Sequence, residues 1–203
     1  MTASAGSVHE TADVAASASI APTARVWHYA QVRENARLGE NVIVGRGAYV
    51  GSGVQVGDNC KIQNYALVYE PARLAAGVFI GPAVVLTNDH FPRAINPDGS
   101  AKSASDWEAV GVDVLEGASI GASSTCVAPV VIGRWALVGS GSVVIKDVPD
   151  FAIVVGSPAR RVGWAGKAGH PLVDDGAGRW RCPVDGSMYR QTGENTLIEM
   201  EQP

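Results

Sequence analysis

The sequence has few charged residues and no long apolar segment. Charged side chains make up 18% of its 203 residues, and the formal net charge is −4. A nucleic-acid-binding protein would show a clustered excess of Lys and Arg, so we expect no nucleic-acid partner. No apolar run approaches the roughly 18 residues that a membrane-spanning helix needs, so we expect no membrane partner.

Cysteine and histidine are also scarce. The three cysteines have no disulfide-framework spacing, which favours a reducing, cytoplasmic location. The four histidines include no closely spaced pair, so we predict no metal site. Residues 1–18 combine neither a basic segment nor an apolar one, so they do not resemble a secretory signal. They are rich in Ala and Ser and are predicted to form a flexible lead-in.

Glycine, in contrast, is abundant and follows a six-residue repeat. Every sixth residue from Ile20 to Leu86 is aliphatic, and Gly comes directly after several of these positions. A small side chain stands four positions after each aliphatic residue from Ile20 to Ile80. A sustained period of six fits neither an α-helix nor a single strand. It is typical of a parallel β-helix, in which short strands alternate with tight turns.

The repeat is broken once. A second aliphatic series runs in steps of six from Val114 to Val144, but Val114 is not a whole number of hexads beyond Leu86. We therefore predict an all-β fold with a β-helix domain of about six coils over residues 19–149. A loop is inserted at about 88–110, and residues 150–203 form a C-terminal appendage. Because the interior of such a prism is aliphatic, we expect its chemistry at this departure from the repeat.

Several segments resemble a known enzyme family. The repeat and the stretch "VGSGSVVIKDVPDFAIVVGSPARRV" resemble the hexapeptide-repeat acyltransferases, whose coils form a left-handed parallel β-helix. Within that superfamily, "VWHYAQV", "CKIQNYALVYEP", "LTNDHFPRAINPDG", "VLEGASIG" and "GSPARRVGW" are most similar to the nucleotide-sugar 3-N-acetyltransferases. The resemblance covers about residues 20–164. It implies transfer of an acetyl group from acetyl-CoA to the 3-amino group of a UDP- or dTDP-linked amino sugar. It also implies a homotrimer with active sites between subunits.

The same resemblance implies roles for the residues around the inserted loop. Asn88 and Asp89 are the candidate catalytic residues that orient the amine, and Glu70 is a candidate for managing its proton. The alternative for Asn88 and Asp89 is an Asx turn that starts the loop, and for Glu70 it is an ordinary solvated side chain. His90 could act as a base because imidazole titrates near neutrality, but the resemblance is weaker at this position.

Further positions match the substrate-binding and cofactor-binding segments of the family. His28, Asn64, Tyr69 and Arg93 are the candidate substrate contacts. Asn64 could instead belong to a structural ladder, and Arg93 could instead form an ion pair within the loop. The candidate contacts for acetyl-CoA lie in the second part of the repeat and beyond its end: Ala122, Ser140, Lys146 and Arg160.

The residues favour direct transfer without a covalent enzyme intermediate. Cys60 and Cys126 fall within the repeat and are expected to be buried and inert. Positioning of the amine and a hydrogen-bond donor for the oxyanion would then lower the barrier. Two alternatives stay open: an acyltransferase acting on another acceptor, such as a 4-amino sugar or a hydroxyl group, and a non-catalytic β-solenoid binding module.

Overall fold

A computed structural model describes residues 6–200. Within this range the chain forms strands and turns but no helix, so no helix is long and apolar enough to cross a membrane.

Short strands recur at every hexad before the inserted loop, as the repeat predicts. They are β1 (Ser7–Val8), β2 (Asp13–Val14), β3 (Ser19–Ile20), β4 (Arg25–Val26), β5 (Gln31–Val32), β6 (Arg37–Leu38), β7 (Ile43–Val44), β8 (Tyr49–Val50), β9 (Gln55–Val56), β10 (Lys61–Ile62), β11 (Leu67–Val68), β12 (Arg73–Leu74), β13 (Phe79–Ile80) and β14 (Val85–Leu86).

The same pattern resumes after the loop and then changes character. The resumed strands are β15 (Val112–Val114), β16 (Ser119–Ile120), β17 (Thr125–Cys126), β18 (Val130–Ile132), β19 (Leu137–Val138) and β20 (Val143–Val144). Longer strands follow: β21 (Ala152–Gly156), β22 (Ala159–Trp164), β23 (Val173–Gly176), β24 (Arg179–Arg181), β25 (Met188–Gly193) and β26 (Thr196–Glu199).

The short strands stack into a three-sided parallel solenoid. Sheet A contains β1, β4, β7, β10, β13, β16, β19 and β21, with β22 added at its end; sheet B runs from β2 to β20, and sheet C from β3 to β18. Within a regular part of the stack, each strand pairs in parallel with the strand three hexads further on, as in Lys61 with Phe79. In the two-residue strands the second residue points inward, and the side chains of Val44, Ile62 and Leu86 are fully buried. The predicted parallel β-solenoid is confirmed.

The predicted number of coils is wrong, because the stack extends beyond both ends of the predicted domain. Residues 6–18 are part of the first turn and include β1 and β2, rather than forming a lead-in; residues 1–5 lie outside the described residues. β21 pairs with β19 and begins an eighth turn. Val8 and Val14 continue the aliphatic series, but they are only partly covered because no strand of the described residues stacks beneath them. The repeat is hard to recognise in this segment because the residues around Val8 and Val14 are mostly Ala and Ser.

The inserted loop changes the pairing register. Val85 pairs with Thr125, so the paired strands at this turn are no longer three hexads apart. Residues 87–111 thus leave and rejoin the prism between β14 and β15, close to the predicted 88–110. The stacking of the coils continues above the loop without interruption, because Val112 to Val114 pair with Val130 to Ile132 in the ordinary register.

The chain ends in a small antiparallel sheet that packs on the last turns of the prism. Strands β23 to β26 form this sheet, with Cys182, Tyr189 and Leu197 buried beneath it. The Tyr189 hydroxyl accepts a hydrogen bond of 3.0 Å from the Lys167 backbone N–H, and its ring lies 5.3 Å from that of Phe151. These contacts join the sheet to the end of the solenoid.

Candidate active site

Short connections join the strands at the three edges of the prism. The A–B corner leads from sheet A to sheet B and includes residues 27–30 and 63–66. The B–C corner leads from sheet B to sheet C and includes residues 33–36, 69–72 and the inserted loop 87–111. The C–A corner includes residues 39–42 and 57–60. Side chains at equivalent places of one corner stack along the prism axis, about 4.8 Å apart.

Four of the predicted site residues lie on two successive turns of the B–C corner. Tyr69 and Glu70 follow β11, and Asn88 and Asp89 follow β14 one turn later. Glu70 and Asn88 are three hexads apart and in register. The loop closes on this corner, because the Val110 backbone N–H donates to the Asn88 carbonyl oxygen at 3.0 Å. The predicted catalytic residues therefore lie where the loop leaves the prism.

Glu70 has an unusual environment for a corner residue. Its carboxylate oxygen Oε2 is buried and has no hydrogen-bond partner among residues 6–200. It lies against Gly51, where an added Cβ would collide with it. A buried carboxylate oxygen without a donor costs free energy. Glu70 therefore keeps an unmet capacity to accept a hydrogen bond within the described part of the chain.

Two tyrosines accompany Glu70, and the sequence prediction included only one of them. The Tyr69 and Tyr49 rings lie 5.1 Å apart. Burial, and secondarily the negative charge of Glu70, raise the pKa of Tyr49 above its ordinary value. Tyr49 could have been found from the sequence, because it occupies the outward place of β8, one turn below the outward residue of β11. Counting the hexads in threes, one for each side of the prism, reveals this proximity.

The inserted loop borders an open pocket of about 600 Å³. Asp89 lines it, but Asp89 Oδ1 also accepts a hydrogen bond of 2.8 Å from the Phe91 backbone N–H. One oxygen of Asp89 therefore forms the Asx turn that was the alternative for this residue, and the other oxygen is not used by it. His90 lines the same pocket, and its Nδ1 lies 2.9 Å from the Ala128 carbonyl oxygen. The full lining is Asp89, His90, Phe91, Lys102, Asp106, Trp107, Glu108, Val110 and Pro129.

A second group of predicted residues shares the A–B corner. His28, Asn64, Ala122 and Ser140 occupy equivalent places on the second, fourth, sixth and seventh turns. Ser140 packs on Gly121, where an added Cβ would come within 2.5 Å of the Ser140 backbone nitrogen. This group is separated from the B–C corner by the width of sheet B. A single chain does not bring the two groups together.

Asn64 has a structural function at the A–B corner. Its Oδ1 accepts a hydrogen bond of 2.9 Å from the Arg46 backbone N–H one turn below. Asp58 makes the same kind of bond at the C–A corner, to the Glu40 backbone N–H at 2.8 Å. The side-chain oxygen of Asn64 therefore belongs to a structural ladder of hydrogen bonds between turns, which was the alternative for this residue. Its amide group also lines a shallow pocket of about 270 Å³ together with Trp27 and His28.

The remaining predicted residues are exposed and lie apart. Arg93 donates to the Pro92 carbonyl oxygen at 3.0 Å and does not line the loop pocket. Lys146 lies at the B–C corner of the seventh turn. Arg160 lies on β22, beyond the prism, and donates to the Ala159 carbonyl oxygen at 2.9 Å. None of the three is brought close to the loop pocket by a described contact.

The cysteines are buried, as expected. Cys60 and Cys126 have no exposed surface, and burial raises the pKa of Cys126 to about 12. Burial also raises the pKa of Cys60. A thiol must ionise to act as a nucleophile, so neither residue is suited to forming an acyl intermediate.

This repeat is that of a known protein class. A family model described as the hexapeptide repeat of succinyl-transferase matches residues 35–65 and 116–146, on either side of the inserted loop. Both matched segments of the chain therefore carry the hexapeptide repeat.

Individual relatives narrow the comparison. The chain is 55% identical over 51 residues to a dTDP-3-amino-3,6-dideoxy-alpha-D-galactopyranose 3-N-acetyltransferase from Aneurinibacillus thermoaerophilus, covering 25% of this chain and 27% of that protein. It is 34% identical over 90 residues to serine acetyltransferase from Escherichia coli K12, covering 44% of this chain and 32% of that one. The chain thus spans about a third or less of the length of these relatives.

A solved structure covers more of the fold. A GDP-perosamine N-acetyltransferase from Caulobacter crescentus, in complex with CoA and GDP-perosamine, is 27% identical to this chain with a TM-score of 0.55. The similarity covers 78% of this chain and 57% of that one. A hexapeptide-repeat acetyltransferase from Vibrio cholerae has a similar fold, with 23% identity and a TM-score of 0.52 over 64% of this chain and 73% of that one.

Proposed function

We propose that the protein is a CoA-dependent N-acetyltransferase that acetylates the 3-amino group of a nucleotide-linked amino sugar. The observation that carries this proposal is the B–C corner, where the inserted loop places Asn88 and Asp89 one turn above Glu70 and its unpaired buried oxygen. The similarity to a sugar 3-N-acetyltransferase and to a CoA- and GDP-perosamine-binding structure supports this acceptor class.

In the proposed reaction the amine attacks the thioester directly. The nitrogen lone pair forms the new C–N bond, the C–S bond breaks, and the proton shed by the nitrogen ends on the departing CoA sulfur, so the products are the acetamide and the free thiol. Asn88 and the free oxygen of Asp89 orient the amine, and Glu70 or Asp89 keeps the amine suitably protonated or relays its proton. Holding the reactants in contact contributes several kcal/mol to lowering the barrier. Tyr69 and Arg93 contact the sugar nucleotide from this side of the site.

The two separated groups of residues support a site between subunits. His28 and Asn64 of one subunit would face the B–C corner of its neighbour in a homotrimer. Ala122 and Ser140 then line the arm of acetyl-CoA along the same A–B corner, while Lys146 and Arg160 supply positive charge for its phosphates. This arrangement accounts for a candidate set that a single chain divides between two corners.

The test is release of thiol from acetyl-CoA by the full-length protein, with UDP- and dTDP-linked 3-amino and 4-amino sugars offered in parallel. We expect rapid release with a 3-amino sugar. Asn88→Ala should lower kcat at least tenfold, whereas Asn195→Ala, in an exposed turn of the appendage, should not change it. Release with a 4-amino sugar alone would mean that the acceptor is a 4-amino sugar and not a 3-amino sugar. No release, from folded protein, with any acceptor would favour the binding-module alternative.

A further inference from the structure

The loop pocket carries more negative than positive charge. Its lining includes three carboxylates, those of Asp89, Asp106 and Glu108, but the ammonium group of only one lysine, Lys102. His90 also lines it, and a histidine is mostly neutral above its ordinary pKa of about 6.5. The pocket has a volume of about 600 Å³, so any group inside it lies within roughly one Debye length of these charges, ~10 Å at 0.1 M salt.

The loop itself keeps these acidic side chains charged. The Asp106 carboxylate accepts hydrogen bonds from the Ser103 backbone N–H at 2.7 Å and from the Ser103 hydroxyl at 2.8 Å. These hydrogen bonds are the main cause that lowers the pKa of Asp106, and the charge of Lys102 contributes to it. Asp106 is therefore ionised at neutral pH. Glu108 forms no ion pair with any residue from 6 to 200, so its charge is not neutralised by a direct contact.

The remaining lining offers little to hold an anion. It consists of apolar side chains: Phe91, Trp107, Val110 and Pro129. Arg93 lies nearby in the sequence, but it does not line the pocket, and its guanidinium donates to a backbone carbonyl oxygen at 3.0 Å. A carboxylate in the pocket would therefore face three anions without the bidentate arginine that usually binds such a group. A methyl or hydroxymethyl group would meet the apolar wall without this repulsion.

Asp89 connects the pocket to the acetyl transfer. Because Asp89 lines the pocket and orients the amine in the proposed function, the sugar ring must lie beside the pocket charges. Glu70, one turn below Asn88, adds a further carboxylate at the same corner. We propose that the loop pocket selects 3-amino sugars that carry no carboxylate at C6, and that Asp106 and Glu108 determine this specificity. The inference rests on the proposed function and names the class of its acceptor.

The size of the preference follows from the charges. Two excess negative charges at about 7 Å, in an open pocket with a high effective dielectric constant, disfavour a carboxylate by roughly tenfold. The test compares kcat/KM for two 3-amino sugars that differ only at C6, one with a carboxylate and one with a hydroxymethyl group, on the nucleotide that gives thiol release. At about pH 8 and 50 mM salt, the neutral sugar should be favoured about tenfold. The preference should shrink towards about 0.5 M salt, because salt screens exposed charges.

Variants of Glu108 test whether the pocket charge causes this preference. Its side chain forms no hydrogen bond with any residue from 6 to 200, so the folded loop does not depend on it. Glu108→Lys changes the pocket charge by two units and should reduce the preference to about one, while Glu108→Gln should reduce it to roughly threefold. Glu194→Lys, in an exposed turn of the appendage, makes the same change in net charge and should leave the preference unchanged.

The outcomes separate this inference from the proposed function. If the carboxylate sugar is acetylated as well as the neutral one, the inference is wrong and the proposed function stands. A preference for the neutral sugar that neither salt nor Glu108→Lys alters would come from shape, and it would also overturn the inference. If neither sugar is acetylated, the proposed function fails. Calorimetric binding of the two sugars then decides: weaker binding of the carboxylate sugar is expected, and equal binding or none would refute the specificity.

Discussion

At the scale of single residues, the environment of a side chain decides its chemistry more than its type does. Glu70 and Glu34 both lie at the B–C corner, one on the fourth turn and one on the second. Glu34 is bonded by Arg33, which lowers the pKa of Glu34 to about 2, and so its charge is already satisfied. Glu70 lacks a partner for Oε2 among the described residues. Of these two residues, only Glu70 therefore has a carboxylate oxygen whose hydrogen bonding is not satisfied within the described residues.

The pKa of Tyr49 reports the charge of Glu70. A nearby carboxylate disfavours the phenolate, so Glu70→Gln should lower the pKa of Tyr49. Burial is the larger cause of the shift, so the value should remain above the ordinary value of about 10. Titration of tyrosine absorbance near the phenolate band measures this, and Tyr49→Phe identifies the signal. An unchanged titration would mean that Glu70 is not charged beside Tyr49.

At the scale of the elements, glycine has two distinct purposes in the corners. Gly45 is the first residue of its corner, and an added Cβ would come within 2.6 Å of the Asn64 backbone nitrogen in the next coil. Gly53 is the third residue of its corner, with a φ of +70° and no atom near an added Cβ. The first glycine permits close stacking of coils, whereas the second permits a left-handed backbone.

Because the two glycines have different functions, replacing each by Ala should lower the free energy of unfolding by different amounts. Gly53→Ala should destabilise the protein by about 1–2 kcal/mol, because the left-handed conformation disfavours a Cβ. Gly45→Ala should cost more, since the coils must separate or lose the Asn64–Arg46 hydrogen bond. Denaturant unfolding of the two variants measures the difference. Equal costs would show that the coil spacing adjusts freely at Gly45.

At the scale of the whole molecule, the candidate residues require more than one chain to form a single site. The B–C and A–B corners border the same sheet but lie on its opposite edges. A symmetric assembly brings one corner of each subunit against a different corner of its neighbour, a head-to-tail contact that can close into a ring. We therefore predict a trimer with three times the mass of the 21.0 kDa chain, measurable by light scattering.

Mixing two inactive variants tests whether the site is shared. Asn88→Ala alters the B–C corner, and His28→Ala alters the A–B corner; each alone should be inactive with a 3-amino sugar. Randomly reassembled mixed trimers should regain activity at about a quarter of their sites, because those sites take an intact corner from each variant. Mixed assemblies without recovered activity would place the whole site within one subunit.

Much of the fold follows from local sequence, because each hexad specifies its own strand, inward side chain and corner. The inward positions and the place of the loop were predictable for this reason. The first turn was missed because Val8 and Val14 stand among Ala and Ser at an end of the stack. The stacking of Glu70 under Asn88 was also within reach, since positions three hexads apart lie above one another wherever the repeat is regular.

What the hexads do not encode is the set of contacts across the insertion. The bond between His90 and Ala128, the unpaired oxygen of Glu70 and the bond from Asn64 to the coil below all depend on how successive turns and the loop pack in three dimensions. The resemblance made Asn64 a candidate substrate contact and left His90 in second place. The local repeat thus determines the prism, whereas long-range hydrogen bonding determines which side chains on its surface remain available for chemistry.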